Sequence, residues 1–301
     1  YSLAKDFGFD GIEVRGLGDK RFTGPAQPLS EEQWPQTKKK LEELRLEISC
    51  LSSGCCLKFA EKAEENHKEL VRYITLAGKL GTPYIRILGD SEPQPTGDVD
   101  DQVVLAALRR LIPIAEANQV TLLVETCGDY ADTKRLGNLL NQVASDAIGA
   151  LWDIHHPYRF AGETPEQTVQ NLGAYIKYAH VKDSVVIDDA IQYRMLGEGD
   201  LPIAQIMSAL NSIKYAGYLS LEWVKAWAPD LANAGVVFPH FAHYMNRFIE
   251  KNTSKGRLFD NNAKTGKFIW EKDSLIDLTF PQVLDHVVAE FPDQYAFRYT
   301  T

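Results

Sequence analysis

An α/β protein built as a (β/α)8 barrel is the fold class that this 301-residue sequence predicts, and two observations predict it. Short apolar runs alternate with segments of helical periodicity at a spacing of roughly 35–40 residues, the rhythm of parallel strands joined by helical crossovers. Four of these runs end on a metal-ligating side chain: TLLVET carries Glu125, LWDIHHP carries Asp153, IKYAH ends on His180 and YLSLE ends on Glu222. An open sheet places its ligand at one switch point, whereas a barrel brings several strand ends onto one rim. Four donors on four consecutive strands therefore favour the barrel.

Taken in order, Tyr1–Phe7 reads as the end of a helix punctuated by Gly8, and Asp10–Arg15 (DGIEVR) as a buried strand with Glu13 next to its rim. A Gly- and Pro-rich loop leads to a helix over much of Glu32–Arg45, then a strand at Leu46–Leu51 and its loop at Ser52–Leu57. Glu61–Leu80 holds a helix stopped by Gly81, and strand Tyr84–Leu88 follows with Arg86. Asp98–Ala117 is a helix in which Pro113 is expected to cause a kink or an early end. Strand Thr121–Thr126, helix Asp132–Val143 and strand Ile148–Ile154 continue the alternation. Thr164–Leu172 is a helix with Pro165 in its first turn, and Ile176–Val181 is the next strand. Lys182–Asp200 is a longer excursion of charged and flexible residues. A helix near Ile203–Asn211, strand Tyr218–Glu222 and helix Val236–Glu250 close the series. That makes seven βα units. Because the first of them opens with only its preceding helix, the missing first strand is expected before Tyr1.

Composition bounds the function. A hydrophobic content of 45% suits a single barrel domain over residues 1–250 with a small attachment. The net charge of -9 and pI near 5.3 argue against nucleic acid as the main partner. No stretch resembles a signal peptide or a membrane span. Cys50, Cys55, Cys56 and Cys127 form no paired ligand pattern, which points to a reducing cytoplasm.

The intervals from Glu125 to Asp153, to His180 and to Glu222 are 28, 27 and 42 residues, about one βα unit per ligand. Three carboxylates and an imidazole suit one divalent ion, Mn²⁺, Zn²⁺, Co²⁺ or Mg²⁺, and a Lewis-acid reaction with proton exchange at a carbon beside a carbonyl. A lone strand-end carboxylate is often only a surface ion pair; four in one register are not. His156, three after Asp153 and restrained by Pro157, is the histidine favoured for substrate contact or proton transfer, and His155 then either points into the core or holds a helix. In HVKD, alternation lets His180 and Lys182 face one side. Lys182 then either stabilises an oxyanion or pairs with Asp183 or Glu222. Glu13 and Arg86 either contact substrate or form structural ion pairs. Trp152 and Trp223 are expected to pack away from the pocket, and Phe22, Trp34, Tyr158, Phe160 and Trp227 either wall a cleft or pack.

FGFDGIEVR, LLVET, WDIHH, HVKD, GEGDLP and GYLSLEW, in this order and spacing over about Tyr1–Glu250, resemble the sugar isomerase/epimerase superfamily with the xylose-isomerase-like TIM barrel. The resemblance implies metal ligation by Glu125, Asp153, His180 and Glu222 and a functional histidine at His156. It further implies proton exchange by Glu125 and Glu222 through a cis-enediolate of a small keto-sugar or polyol. Ketose epimerases tend to carry an arginine soon after the histidine matching His180. Here SVVIDD follows and Arg194 is the nearest arginine, so the substrate stays open. Dehydratases of inosose or dehydroshikimate share the same ligand pattern and form the alternative; an inactive sugar-binding barrel is a third reading. The related endonuclease acting on abasic DNA needs further histidines that the chain lacks. A homo-oligomer is left open.

Lys251–Ser274, with six Lys or Arg against three Asp or Glu, reads as a linker or hairpin. Leu275–Thr301 is expected to hold a helix around Pro281–Glu290 and an extended run at Tyr295–Tyr299. Phe280–Thr301 weakly resembles the opening of an AMP-forming acyl-CoA synthetase or ligase, which implies a fused ligase-like domain or, equally, a packing appendage.

Overall fold

Seven parallel strands make one sheet in the computed structural model, which describes residues 1–16, 28–225 and 228–248 together with Gln282, Asp285 and Ala289. In chain order the elements are α1 (Ser2–Asp6), β1 (Gly11–Val14), α2 (Trp34–Leu44), β2 (Glu47–Cys56), α3 (Ala63–Leu80), β3 (Tyr84–Leu88), α4 (Asp101–Ala117) and β4 (Thr121–Glu125). They continue with α5 (Thr133–Val143), β5 (Ile148–Asp153), α6 (His156–Phe160), α7 (Pro165–Leu172), β6 (Ile176–Val181), β7 (Asp183–Ile187), β8 (Ala190–Arg194), α8 (Ile203–Ser212), β9 (Tyr218–Leu221) and α9 (Ala234–Met245). The sheet runs β1-β2-β3-β4-β5-β6-β9, and β7 pairs antiparallel with β8 in a separate hairpin.

Apart from the β7–β8 hairpin between β6 and β9, strands consecutive in the chain are neighbours in the sheet, the arrangement that βα crossovers produce. Among the described residues no ladder joins β1 to β9, so the barrel is near-closed with one seam. Side chains cross that seam: Ser220 Oγ donates to Glu13 Oε2 at 2.8 Å and Arg15 Nη1 to Glu222 Oε1 at 2.8 Å. Gly11 permits the approach, since a Cβ there would lie 2.9 Å from the Tyr218 ring.

Local signals place the helices. Asp100 and Asp132 cap α4 and α5 with their carboxylates, and Thr164 with Gln167 forms a capping box on α7 behind Pro165. Pro113 does not end α4, which runs on to Ala117. The main core lies between strands and helices, with Ile85, Ile87, Leu122, Val124, Ala150 and Trp152 facing outward into it. Inside the barrel, Cys50, Leu123, Leu151 and Tyr178, joined by Tyr84 and Tyr218, form a small apolar plug. Two residues further along these strands, the alternation of a strand brings polar side chains into the same lumen.

Two differences from the sequence reading concern position. β2 continues to Cys56, through the stretch expected to be a loop, and the Lys182–Asp200 excursion contains a regular hairpin. The expectations for Phe22, Trp227, the linker Lys251–Ser274 and the ligase-like stretch Phe280–Thr301 fall outside the described residues, apart from the three isolated positions. No helix among the described residues is long and apolar enough to cross a membrane.

Candidate metal centre

Glu125 closes β4, Asp153 closes β5, His180 lies in β6 one residue before its end, and Glu222 follows β9. The ladder sets Asp153 opposite His180 and His180 opposite Ser220, so the inward positions fall at one level. Glu125, Asp153, His180 and Glu222 each offer a ligand atom, and these atoms lie within 4.8 Å of one another.

Each donor is held by a charged neighbour. Arg86 in β3 donates through Nε to Glu125 Oε2 at 2.5 Å and through Nη1 to the Ser53 carbonyl at 3.0 Å. His180 donates through Nε2 to Glu13, 3.0 and 2.9 Å from its two carboxylate oxygens; Ser52 and Ser220 also bond that carboxylate. This leaves His180 Nδ1 buried without a hydrogen-bond partner among the described residues, 3.4 Å from Glu125 Oε1 and 3.9 Å from Glu222 Oε2. A buried nitrogen between two carboxylates calls for a proton or a metal ion. That environment fits a divalent ion, with Glu13 fixing the ring as an outer partner.

Lys182, just past β6, donates to Asp153 Oδ2 at 2.5 Å and Glu222 Oε2 at 2.6 Å. It also meets His156 Nε2 at 3.1 Å. His156 Nδ1 lies 3.2 Å from the Thr126 carbonyl. A carbonyl only accepts, so Nδ1 carries the proton and Nε2 presents its lone pair to the ammonium. Phe160 packs against both His155 and His156. His155 is buried, with Nε2 3.0 Å from Ser184 Oγ and its ring against Tyr193.

The electrostatics follow from burial and these partners. Burial opposes ionisation of Glu125, but the Arg86 guanidinium outweighs it and holds the carboxyl below the usual range. Burial likewise opposes charge on Glu222, which Lys182, His180 and Arg15 together hold well below that range. Asp153 is pushed up to about 7, chiefly by burial, with Lys182 pulling down and Glu222 and Glu125 pushing up. Burial works against a proton on His180, yet Glu13 and Glu125 raise it well above the ordinary imidazole value. Burial and then Lys182 push His156 down to about 3, so its ring is neutral.

Of the predicted site residues, Glu13, Arg86, Glu125, Asp153, His156, His180, Lys182 and Glu222 come together. Arg194 does not join them through hydrogen bonds; its guanidinium bonds Tyr193 O and Gln192 Oε1 in its own hairpin. Trp152 is buried, and Trp223 donates to the Ala232 carbonyl. Sequence reasoning missed three contributors. Arg15 reaches Glu222, and its signal was its place two residues after Glu13 on the same strand. Ser52 and Ser220 hold Glu13, and only the barrel's closure reveals them. A second acidic group, Asp90, Asp98 and Asp129, surrounds Lys58, which bonds Asp90 and Asp98 at 2.8 Å each.

A parallel barrel with convergent carboxylate and imidazole donors at its strand ends makes a candidate site for one divalent metal ion. The chain belongs to the xylose isomerase-like TIM barrel family, whose model matches residues 1–237. It is similar in structure to the IOLI protein with a binding zinc atom, at a TM-score of 0.68 and 18% identity over 84% of this chain and 92% of that one. It is also similar to the probable 3-DHS dehydratase AsbF of Bacillus anthracis, at 0.66 and 19% over 81% and 91%. An L-ribulose 3-epimerase gives 0.65 and 19% over 90% and 92%. At these identities the likeness establishes the fold. An uncharacterized protein of Methanocaldococcus jannaschii is 25% identical over 124 residues, 39% of this chain and 41% of that relative, so the match spans less than half of the relative's length.

Proposed function

We propose that the protein is a divalent-metal-dependent isomerase or epimerase acting on a small keto-sugar or polyol. The observation that carries this reading is the convergence of Glu125, Asp153, His180 and Glu222 with their ligand atoms within 4.8 Å. One ion of Mn²⁺, Zn²⁺, Co²⁺ or Mg²⁺ would be held by these four. When bound it supplies Lewis-acid polarisation of a substrate carbonyl or hydroxyl oxygen.

The chain's own groups do the rest. Glu125 and Glu222 are both ionised at neutral pH, and each is able to accept a proton from the carbon beside a carbonyl. One removes it; the other takes up a proton from a substrate hydroxyl and delivers it to carbon through a cis-enediolate, and the first then gives its proton to that oxygen. Arg86 keeps Glu125 ionised and oriented, and Glu13 orients His180, so both act as positioning residues rather than substrate contacts. Lys182 and His156 lie beside Asp153 and face the developing oxyanion. Arg194, on the hairpin near the rim, is left as a contact for the far end of the substrate.

A dehydratase is the second reading. Lys182 bonded to His156 Nε2 makes a proton-donor pair next to the donor set, suited to protonating a departing hydroxyl. The structural likeness to a probable 3-DHS dehydratase is in keeping with it. The resemblance of Phe280–Thr301 to a ligase opening adds nothing to either reading.

Metal analysis of protein purified without added metal tests the site. We expect one divalent ion per chain, lost in Glu222→Gln and in His180→Ala. With metal bound, ketoses and inososes should give a product of unchanged mass; loss of one water selects the dehydratase. Absence of binding to Mn²⁺, Co²⁺ and Zn²⁺ alike would sink both and leave a binding barrel.

A further inference from the structure

The ammonium of Lys182 lies inside the donor set. Nζ bonds Asp153 Oδ2 at 2.5 Å, Glu222 Oε2 at 2.6 Å and His156 Nε2 at 3.1 Å. An ammonium has three N–H donors and no acceptor, so these three contacts use it fully. The side chain is 4% exposed, and a move of the head group breaks three buried bonds at once. Arg86 bonds Glu125, and Arg15 bonds Oε1 of Glu222, the oxygen that Lys182 does not take. Lys182 thus bridges two of the four donors from within, with its third bond on a neutral imidazole.

Two effects of opposite sign follow. Asp153 and Glu222 repel each other and Glu125 at these separations, and a fixed positive charge between the first two relieves that repulsion. A divalent ion held by the same carboxylates would lie within one ligand length of the oxygens that Lys182 bonds. The ammonium then repels the ion in a buried site where screening is weak.

We infer that Lys182 is a built-in counter-cation that sets the metal affinity of this site. It holds the donor set together when no ion is bound and keeps the ion exchangeable when one is. This rests on the reading that Glu125, Asp153, His180 and Glu222 bind a divalent ion. A lysine with a purely structural role behaves differently: its loss weakens folding and metal binding together.

The test uses the full chain stripped with EDTA, and Mn²⁺ alone as probe. Mn²⁺ binding is followed by calorimetry, and thermal unfolding is measured in EDTA and in excess Mn²⁺, for wild type, Lys182→Met and Lys182→Arg. Lys182→Met should unfold at a lower temperature in EDTA, recover in Mn²⁺, and bind Mn²⁺ at least about tenfold more tightly, the scale on which one buried charge acts on another. Lys182→Arg should stay within about threefold of wild type. Unchanged or weaker Mn²⁺ binding by a folded Lys182→Met overturns the inference. If Lys182→Met is unfolded in EDTA, refolding on Mn²⁺ addition supports it, and failure of both Lys182→Met and Lys182→Gln to refold overturns it. If wild type binds no Mn²⁺, the same comparison is made with Co²⁺ and Zn²⁺: wild type that binds none of the three overturns the proposed function, and in that event binding by Lys182→Met still upholds the inference, while its absence overturns both.

Discussion

Arg86 enters the lumen from the middle of β3 with 3% of its side chain exposed and meets a Glu125 side chain that is 2% exposed. Neither charge has access to bulk water, so each depends on the other for its ionised form. Arg86→Met should therefore cost about 3–5 kcal/mol, the usual consequence of stranding one member of a buried ion pair. Arg86→Lys should recover only part, because a lysine cannot reach both Glu125 and the Ser53 carbonyl in the planar geometry of a guanidinium. Urea unfolding of wild type, Arg86→Met and the double variant Arg86→Met/Glu125→Gln checks this. The double variant should be more stable than the single one, and a loss below about 1 kcal/mol in Arg86→Met would show that the pair is not what holds Glu125. The four candidate donors were legible in the sequence because each lies at or next to the end of a strand. Their partners were not, since a sequence position says where a side chain starts and not which charge it meets across a barrel.

At the scale of elements, the segment from β7 through β8 to the loop before α8 is held at its base by one carboxylate. Asp183 accepts backbone N–H bonds from Ser184, Gly197, Gly199 and Leu201 at 2.8, 2.9, 3.1 and 3.2 Å. Gly199 fits because a Cβ there would stand 2.0 Å from Asp183 Oδ1. Ser184 adds a second tie, through the Asp200 N–H and Arg159. Asp183→Ala and Gly199→Ala should loosen this excursion without unfolding the barrel. The Gly197 and Gly199 amides lie near the surface and can bond water once freed, so we expect a global loss of only about 1–3 kcal/mol, with proteolytic cleavage within residues 184–200 at least about tenfold faster. Limited proteolysis beside a thermal melt reads both; unchanged cleavage would refute the clamp. The hairpin escaped sequence reading for a physical reason. Its turn residues Asp188 and Asp189 both take positive φ, 50° and 59°, where an Asn-Gly or Gly pair is the usual signal. The short apolar stretch Val185–Ile187 had no partner visible nearby in the pattern.

For the whole molecule, strand order and the rim were readable from the alternation of short apolar runs with helical segments. Closure was not: the bonds from His180 to Glu13 and from Arg15 to Glu222 span 167 and 207 residues and exist only because the sheet curls to bring β1 opposite β6 and the end of β9 across the seam. The rim is also tied together away from the donor set. Asp129, in the turn after β4, accepts N–H bonds from Thr96, Gly97 and Val99 in the loop after β3, at 2.9, 2.6 and 3.2 Å, and is bonded by Arg135 of α5 at 3.0 Å. Burial alone would raise this carboxyl, but the three backbone donors and Arg135 outweigh it and lower it below its ordinary value. The sign of the pH effect follows. A carboxyl lowered on folding contributes stability that is complete above its unfolded value, about 3.9, and that drains away as the pH falls through the folded value. Asp129→Asn should cost about 1.5–3 kcal/mol at pH 7, the worth of hydrogen bonds to a charged acceptor. The gap to wild type should narrow steadily below about pH 4, because the wild-type carboxylate takes up a proton there while the amide of the variant does not titrate. Denaturant midpoints at pH 7, 4 and 3 measure it. A gap of constant size across that range would mean that Asp129 holds the two loops through shape and not through its charge, and the acid sensitivity of the barrel would then have to come from other carboxylates.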